Sequence, residues 1–342
     1  MKKLNNWGLF VLFIALTLVI AACSDANGTD SSNPNSDEKT VVINVAYGNQ
    51  PGEPIDQLAN KWKELVEEKS EGKLELKLYP SSQLGSEKDV VEQAIMGNNV
   101  IIFTGYDFLM DYVPDVGILT APYLTEDFDD LFYLTTTDWF KEQTDKLNKE
   151  GIEIVSTNTI YGKRHLMTTE PVLTPDDLKG MKIRVPNNQM YIKSFEALGA
   201  VPTPMPLADL YTSLQQGLVD GAENPLPVLK GSKTNEIAKH LSLTEHTKIM
   251  SPWIAGTSFI ETLPEDLVKI LKETGDEAGE YAKEITDKES ETVLAEFEKE
   301  GVEIHKVDLA PFKEAAKSVY TAFEDWTPGL YETIQSLIKE KQ

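Results

Sequence analysis

Two arginines stand apart in a chain that otherwise draws its positive charge from lysine. Arg164 and Arg184 are the only arginines among 32 basic residues, and both fall in one short region dense in proline and glycine. A guanidinium presents a planar fork of N–H donors that grips a carboxylate bidentately, which the point charge of lysine cannot imitate. Two readings follow: a carboxylate-binding pair, or structural salt bridges to some of the 56 acids. Other reactive residue types are scarce. Four histidines show no paired metal-ligand spacing, and the single cysteine excludes a disulfide framework or a thiolate-rich metal site. No Gly-rich phosphate loop, nucleophile elbow or zinc-protease helix is present. The expectation is therefore a protein with no catalytic residue, metal or cofactor.

The elements around these arginines point to an α/β protein. Arg184 ends a strand candidate, Met181–Val185, and Arg164 lies in Tyr161-Gly162-Lys163-Arg164-His165. Upstream, the β-branched run Val41–Ala46 predicts a strand, and Leu58, Trp62, Leu65 and Val66 fall at helical spacing within Ile55–Lys69. Leu74–Tyr79 alternates as a second strand, so the body opens as β–loop–α–β, a unit that favours a parallel sheet under helices. The pattern continues with a helix over Glu87–Met96 and strands over Val100–Phe103 and Ile152–Asn158. Helices follow at Met190–Leu198 and Leu207–Gln216. Helix formers then run from Pro264 to Glu300, where Gly275 and Gly279 could introduce a bend. A final amphipathic stretch, Leu309–Lys341, breaks at Trp326-Thr327-Pro328-Gly329.

Length and charge narrow the class further. The chain has 342 residues, ample for about two domains of ~150 residues each. Its net charge of −24 and lack of any basic run disfavour nucleic acid as a partner. At the N-terminus, Lys2 and Lys3 precede an apolar run from Trp7 to Ala22, shorter than the roughly 20 residues of a membrane-spanning helix. A basic start, an apolar centre and small residues at the end describe a secretory signal. Residues 24–40 carry no large apolar side chain and have the composition of a flexible tether.

Two resemblances sharpen this outline. Ile20-Ala21-Ala22-Cys23 resembles the bacterial lipoprotein signal, which implies that Cys23 is lipidated and becomes the first mature residue. The block DLKGMKIRVPNN, then ALGAVPTPMPLADLYTSLQQGLVDGAENP, within Asp177–Pro225, is similar to the extracytoplasmic solute-binding proteins of TRAP transporters, DctP type. The match extends to Leu78–Gly85 and to Leu263–Leu267. It implies a two-lobed α/β fold of the periplasmic-binding-protein type, with central sheets, flanking helices and a long helix spanning both lobes. It also implies a location outside the cytoplasm, on the outer face of the membrane, with TRAP permease subunits as partners. The implied segments are a signal peptide at 1–22, lipidated cysteine and tether at 23–40, lobe I at 41–161 and lobe II at 162–249. Residues 250–289 return to lobe I with the start of the long helix, and 290–342 return to lobe II with the C-terminal helices.

On this resemblance Arg184 falls on the family's main carboxylate-binding arginine and Arg164 on a second arginine near substrate. Asn224 matches a polar ligand contact, and Asn187 matches one seen in the sialic-acid branch. Thr104 and Asp107 align where that branch places Glu and Arg, and Leu207 replaces an aromatic contact, so sialic acid itself is disfavoured. Asp107 and Glu87 could accept hydrogen bonds from hydroxyls, and Gln50 and Asn187 could donate or accept. That set favours a hydroxylated monoacid, a uronate or aldonate, over a bare dicarboxylate. His165 could report pH, or only pack. Two other classes stay open, a ligand sensor for a membrane kinase and an extracellular sugar-acid hydrolase.

Overall fold

The computed structural model describes residues 40–341. The apolar run at 7–22, Cys23 and the tether lie outside the described residues. No helix among the described residues is long and apolar enough to cross a membrane.

Among the described residues, nine strands form one mixed sheet: β1 (Val41–Ala46), β2 (Leu74–Tyr79), β3 (Val100–Phe103), β4 (Ile152–Thr168), β5 (Lys182–Val185), β6 (Val201–Pro204), β7 (Gly221–Pro225), β8 (His240–Gly256) and β9 (Glu303–His305). Their order is β2-β1-β3-β8-β4-β7-β5-β6, with β9 pairing β8. The β-branched strand β1 lies parallel to both β2 and β3. β5 lies parallel to β6 and β7. The two 17-residue strands β4 and β8 run antiparallel through the middle and join these halves.

One end of the β4–β8 ribbon meets β3 at Ile101 opposite Ala255, and the other meets β7 at Thr168 opposite Gly221. A single strand pair thus belongs to both lobes. The register slips four times along it, between Ile154 and Ser156, Ser156 and Thr159, Ile160 and Gly162, and Arg164 and Leu166. Bulges of this kind bend a strand and re-aim its side chains. Gly162 holds a φ of +129°, and a Cβ there would sit 3.1 Å from the Pro225 ring. The strand expected at Ile152–Asn158 therefore continues to Thr168, because the polar, glycine-interrupted half has no clean period-2 pattern. β8 was invisible in the sequence for a related reason: buried on both faces, it does not alternate.

Each lobe has its own apolar cores. On one face of the first lobe, Ile43, Val45, Trp62, Trp253 and Leu271 pack together. In the second, Ile183, Val185, Tyr191, Phe195 and Phe312 form one cluster and Met167, Leu241, Val293 and Phe297 another. The Glu265–Lys299 helix, 35 residues long, buries Leu267, Leu271, Ala278 and Ala282 on the first lobe and Val293 and Phe297 on the second. It is continuous. Its glycines serve close approach rather than a break: a Cβ at Gly279 would lie 1.9 Å from Asn158 Oδ1 in the bulged part of β4.

After Phe312 the chain crosses once more. Val319, Phe323, Trp326, Leu330 and Ile334 pack into the first lobe with Ile118, Leu124 and Leu131. The break in the final amphipathic stretch makes the tie: Trp326 Nε1 donates to the Pro114 carbonyl at 2.9 Å, and Thr327 N and Oγ1 donate to Asp115 at 2.8 and 2.7 Å.

Candidate ligand-binding site

A cavity of about 100 Å³ lies between the lobes, where the β4–β8 ribbon is bulged. Asn49, Ser82, Ser86, Glu87, Thr104, Gly105 and Asp107 line it from the first lobe, and Arg184, Asn187, Tyr191, Leu207 and Asn224 from the second. Arg164, Tyr161, Ile249 and Ser251 close it along the ribbon. Phe103 and Tyr161, with ring centroids 5.4 Å apart, supply an apolar wall.

Arg184 is positioned from β5 and is only 3% exposed. Its Nε and Nη2 both donate to the Met205 carbonyl, at 3.0 and 2.7 Å. A guanidinium has five N–H groups, so three remain, two on Nη1 and one on Nη2. They form the free edge of the fork. Among the described residues no carboxylate reaches this arginine within ion-pair distance. Burial, countered in part by Glu223 and reinforced by Arg164, lowers its pKa to about 10, so it stays cationic at neutral pH. A buried charge with no counter-ion is costly.

Arg164 has the opposite arrangement. From β4 it reaches Glu223 on β7, donating from Nε to Oε2 and from Nη2 to Oε1 at 2.5 Å. Nη2 also donates to the Glu223 carbonyl at 3.1 Å, and the Tyr191 ring stacks 4.6 Å from the guanidinium carbon. Glu223 is fully buried and carries a second donor, His246 Nε2 at 3.2 Å. Burial alone pushes the Glu223 carboxyl up, but Arg164 and then His246 hold it below the usual range. Burial keeps His246 neutral, which fits Nε2–H donating to Glu223 while Nδ1 accepts from Thr244 Oγ1 at 2.8 Å. Arg164 forms part of the wall, and its charge is already met.

The acids expected to face hydroxyl groups are both present. Glu87, half-buried at the cavity edge, accepts from Thr104 Oγ1 at 2.7 Å and from Gly105 N at 3.1 Å. Burial, then the neighbouring Asp107, pushes its pKa up to about 7. Asp107 is buried and pushed up to about 6, by burial first, with Arg164 opposing. It accepts from Asn188 Nδ2, a hydrogen bond that ties the two lobes directly. Asn188 also caps its own helix through Oδ1 to Tyr191 N at 3.1 Å. The Asn224 amide is 2% exposed, and neither it nor Asn187 has a protein hydrogen-bond partner among the described residues.

Gln50 is a correction. It does not line the cavity, and its Oε1 accepts from Ser81 Oγ at 2.8 Å instead. Its neighbour Asn49, 3% exposed, takes the inward position and donates to Glu53 at 2.6 Å. His165 is held neutral, its pKa lowered to about 3 chiefly by burial, and its Nδ1 accepts from Glu245 N at 3.3 Å. It packs and reports nothing of pH near neutrality. Asn49, Asn188, Glu223 and His246 were missed in the sequence. Asn49, Asn188 and Glu223 each stand next to a candidate, Gln50, Asn187 and Asn224, whereas His246 carried no such positional signal.

The sequence from 45 to 325 matches the family model of the bacterial extracellular solute-binding proteins, family 7, the DctP family. The chain belongs to this family. A crystal structure of a TRAP periplasmic solute-binding protein from Ochrobacterium anthropi, with bound L-fuconate, is 47% identical. It superposes with a TM-score of 0.86, covering 88% of this chain and 100% of the other. A second, from Actinobacillus succinogenes with bound L-galactonate, is 44% identical with the same TM-score and the same coverage of both chains. The sialic acid-binding periplasmic protein SiaP of Vibrio cholerae is 29% identical over 76% of this chain and 81% of its own. The family fold is two-lobed, its members are extracytoplasmic solute receptors rather than enzymes, and they work with membrane permeases.

Proposed function

We propose that this protein captures a hydroxylated sugar acid, an aldonate foremost, and delivers it to TRAP permease subunits while held to the outer face of the membrane by a lipid on Cys23. The observation that carries the substrate class is the free edge of the Arg184 fork. With Met205 fixing the other edge, an incoming carboxylate meets two parallel N–H donors in a water-poor cleft, where the ion pair is strongest.

The remaining lining fits one carboxylate and several hydroxyls. Glu87 and Asp107 face the cavity with accepting oxygens, and Asn187 and Asn224 bring amides that donate and accept. A dicarboxylate needs a second cation. Lys88 at the rim pairs with Asp111 at 3.2 Å, and the buried Asp107 repels a second negative charge. The L-fuconate and L-galactonate held by the two solved relatives are both acids of this kind, one carboxylate on a polyhydroxyl chain.

The test is a thermal-shift and calorimetric screen of the soluble form from Ser24 onward against aldonates, uronates, C4-dicarboxylates and sialic acid. A ligand at about 100 times its dissociation constant stabilises the folded state by ~2.7 kcal/mol, a readily visible shift. An aldonate response that Arg184→Lys weakens about ten- to a hundredfold in affinity is the expected outcome. Full affinity in a correctly folded Arg184→Lys protein, or a response confined to dicarboxylates, overturns the proposal.

A further inference from the structure

At the start of β8, in the second lobe and away from the cleft, the other two histidines meet. β9 pairs in parallel with β8, setting His240 opposite Glu303 and Ser242 opposite His305. Glu303 and His305, two residues apart, share a face of β9. His240 Nδ1 lies 3.2 Å from His305 Nε2 and 3.5 Å from Glu303 Oε2, and the three ligand atoms all fall within 4.8 Å of one another. The imidazole planes are inclined at 20° with centroids 5.4 Å apart.

From this geometry we propose that His240, His305 and Glu303 form a surface site for a divalent transition metal ion, with zinc the best-matched probe. Ligands bound at about 2.0–2.1 Å to a tetrahedral zinc lie roughly 3.3 Å from each other, and the two measured separations bracket that spacing. Proton sharing alone accounts for less of the arrangement. One hydrogen on His240 Nδ1 can serve His305 or Glu303 but not both, whereas a cation satisfies all three. Two imidazoles and one carboxylate suit Zn²⁺, Cu²⁺ and Ni²⁺ over Mg²⁺ or Ca²⁺. Glu303 is largely exposed, leaving an entry path and room for water as a fourth ligand.

The consequence is a clip rather than a reaction. β9 has only three residues and follows directly on the long helix, so a bound metal would pin the far end of that helix to β8. Along β4, four residues, about 13 Å at ~3.3 Å per residue, separate Thr168, opposite His240, from Arg164 in the cleft wall, and none of the three ligands lines the cleft. A bound metal should leave solute affinity unchanged.

Calorimetric titration of the soluble form from Ser24 onward with zinc chloride, after treatment with EDTA, tests the site. One equivalent is expected to bind, with affinity reduced at least about tenfold in His240→Ala and in His305→Ala and weakened also in Glu303→Gln. The remaining histidines, His165 and His246, are buried and do not compete. Cobalt(II) should give the intense visible bands of a four-coordinate site in the wild type and lose them in His305→Ala. Far-UV circular dichroism and melting in EDTA check that the variants are folded. No binding up to millimolar zinc, or equal binding by the folded His240→Ala, His305→Ala double variant, overturns the proposal and leaves a hydrogen-bonded histidine pair.

Discussion

Arg164 and Arg184 share a cavity wall, a residue type and nearly complete burial, yet they are electrostatically different. Arg164 is met by Glu223, which is itself backed by His246 and Thr244, so its charge was neutralised when the chain folded. Arg184 is held by a neutral carbonyl and keeps its far edge open. A buried cation that the protein has paired is architecture. A buried cation that the protein has oriented but not paired is, on the proposed function, the place for the solute's carboxylate. The difference lies in what stands opposite each guanidinium, and that is set by strand register rather than by local sequence.

The largest expected effect breaks the Arg164 side of this contrast. Arg164→Met leaves Glu223 buried at zero exposure without its counter-ion, and should cost about 3–5 kcal/mol of stability. Urea denaturation of the ligand-free protein measures it. A companion Arg164→Met, Glu223→Met variant removes both charges and should recover most of that loss, because a matched apolar pair has no desolvation penalty to offset. If the single variant is as stable as the wild type, Arg164 is not the structural arginine.

The Arg184 side predicts the reverse pairing of effects. Arg184→Met removes a buried charge that has no protein counter-ion, so the ligand-free protein should hold or gain stability. The same variant should lose about 2–5 kcal/mol of affinity for the solute, since the ligand's carboxylate then enters the cleft unpaired. Arg184→Lys should fall between, at about 1.5–3 kcal/mol, because the charge survives while the fork does not. Calorimetry on the three proteins separates charge from geometry. Equal stability losses in Arg184→Met and Arg164→Met would dissolve the distinction.

The same contrast explains what was readable in the sequence. Arg184 was conspicuous because arginine is rare in this chain and its Lys-Ile-Arg-Val-Pro setting is short and local. Its counterpart's pairing was not, because Glu223 is 59 residues away and one of 56 acids. Only the unbroken β4–β7 register, from Arg164 opposite Pro225 to Thr168 opposite Gly221, selects it. The short strands β1, β2 and β3 were legible from β-branched content and alternation. The two strands shared by both lobes were not: β4 loses its period at Gly162, and β8 is buried on both faces. Gln50 and Asn49 make the same point at the scale of one residue, since a one-position error in a loop exchanges a wall residue for an outward one. The histidine pair at His240 and His305 is separated by 65 residues, and only the parallel docking of β9 brings it together.

The acids of the cleft give the smallest and most selective expectation, a pH dependence. Glu87 has a native pKa of about 7 against an ordinary 4.5, raised first by burial and then by Asp107. Between these values the native state holds its proton more tightly than the unfolded chain does. By linkage, Glu87 therefore contributes stability that is fully present below about pH 4.5 and lost as pH rises toward 7. Asp107, raised to about 6, acts in the same direction over a lower window. His165 opposes both: buried neutral with a pKa near 3, it disfavours folding as the solution is acidified below the ordinary 6.5. The wild-type profile mixes these slopes, so the informative quantity is a difference. Glu87→Gln keeps the shape and cannot ionise. The wild type should lose stability relative to it by on the order of 2 kcal/mol between pH 5 and 7.5. Urea melts of the two ligand-free proteins across that range give the comparison. Parallel profiles would mean that Glu87 is ionised throughout, stabilised by Thr104 and Gly105 N–H as Glu223 is by Arg164. The cleft would then present a full negative charge beside the solute, and Arg184 alone would have to hold the solute's carboxylate against it.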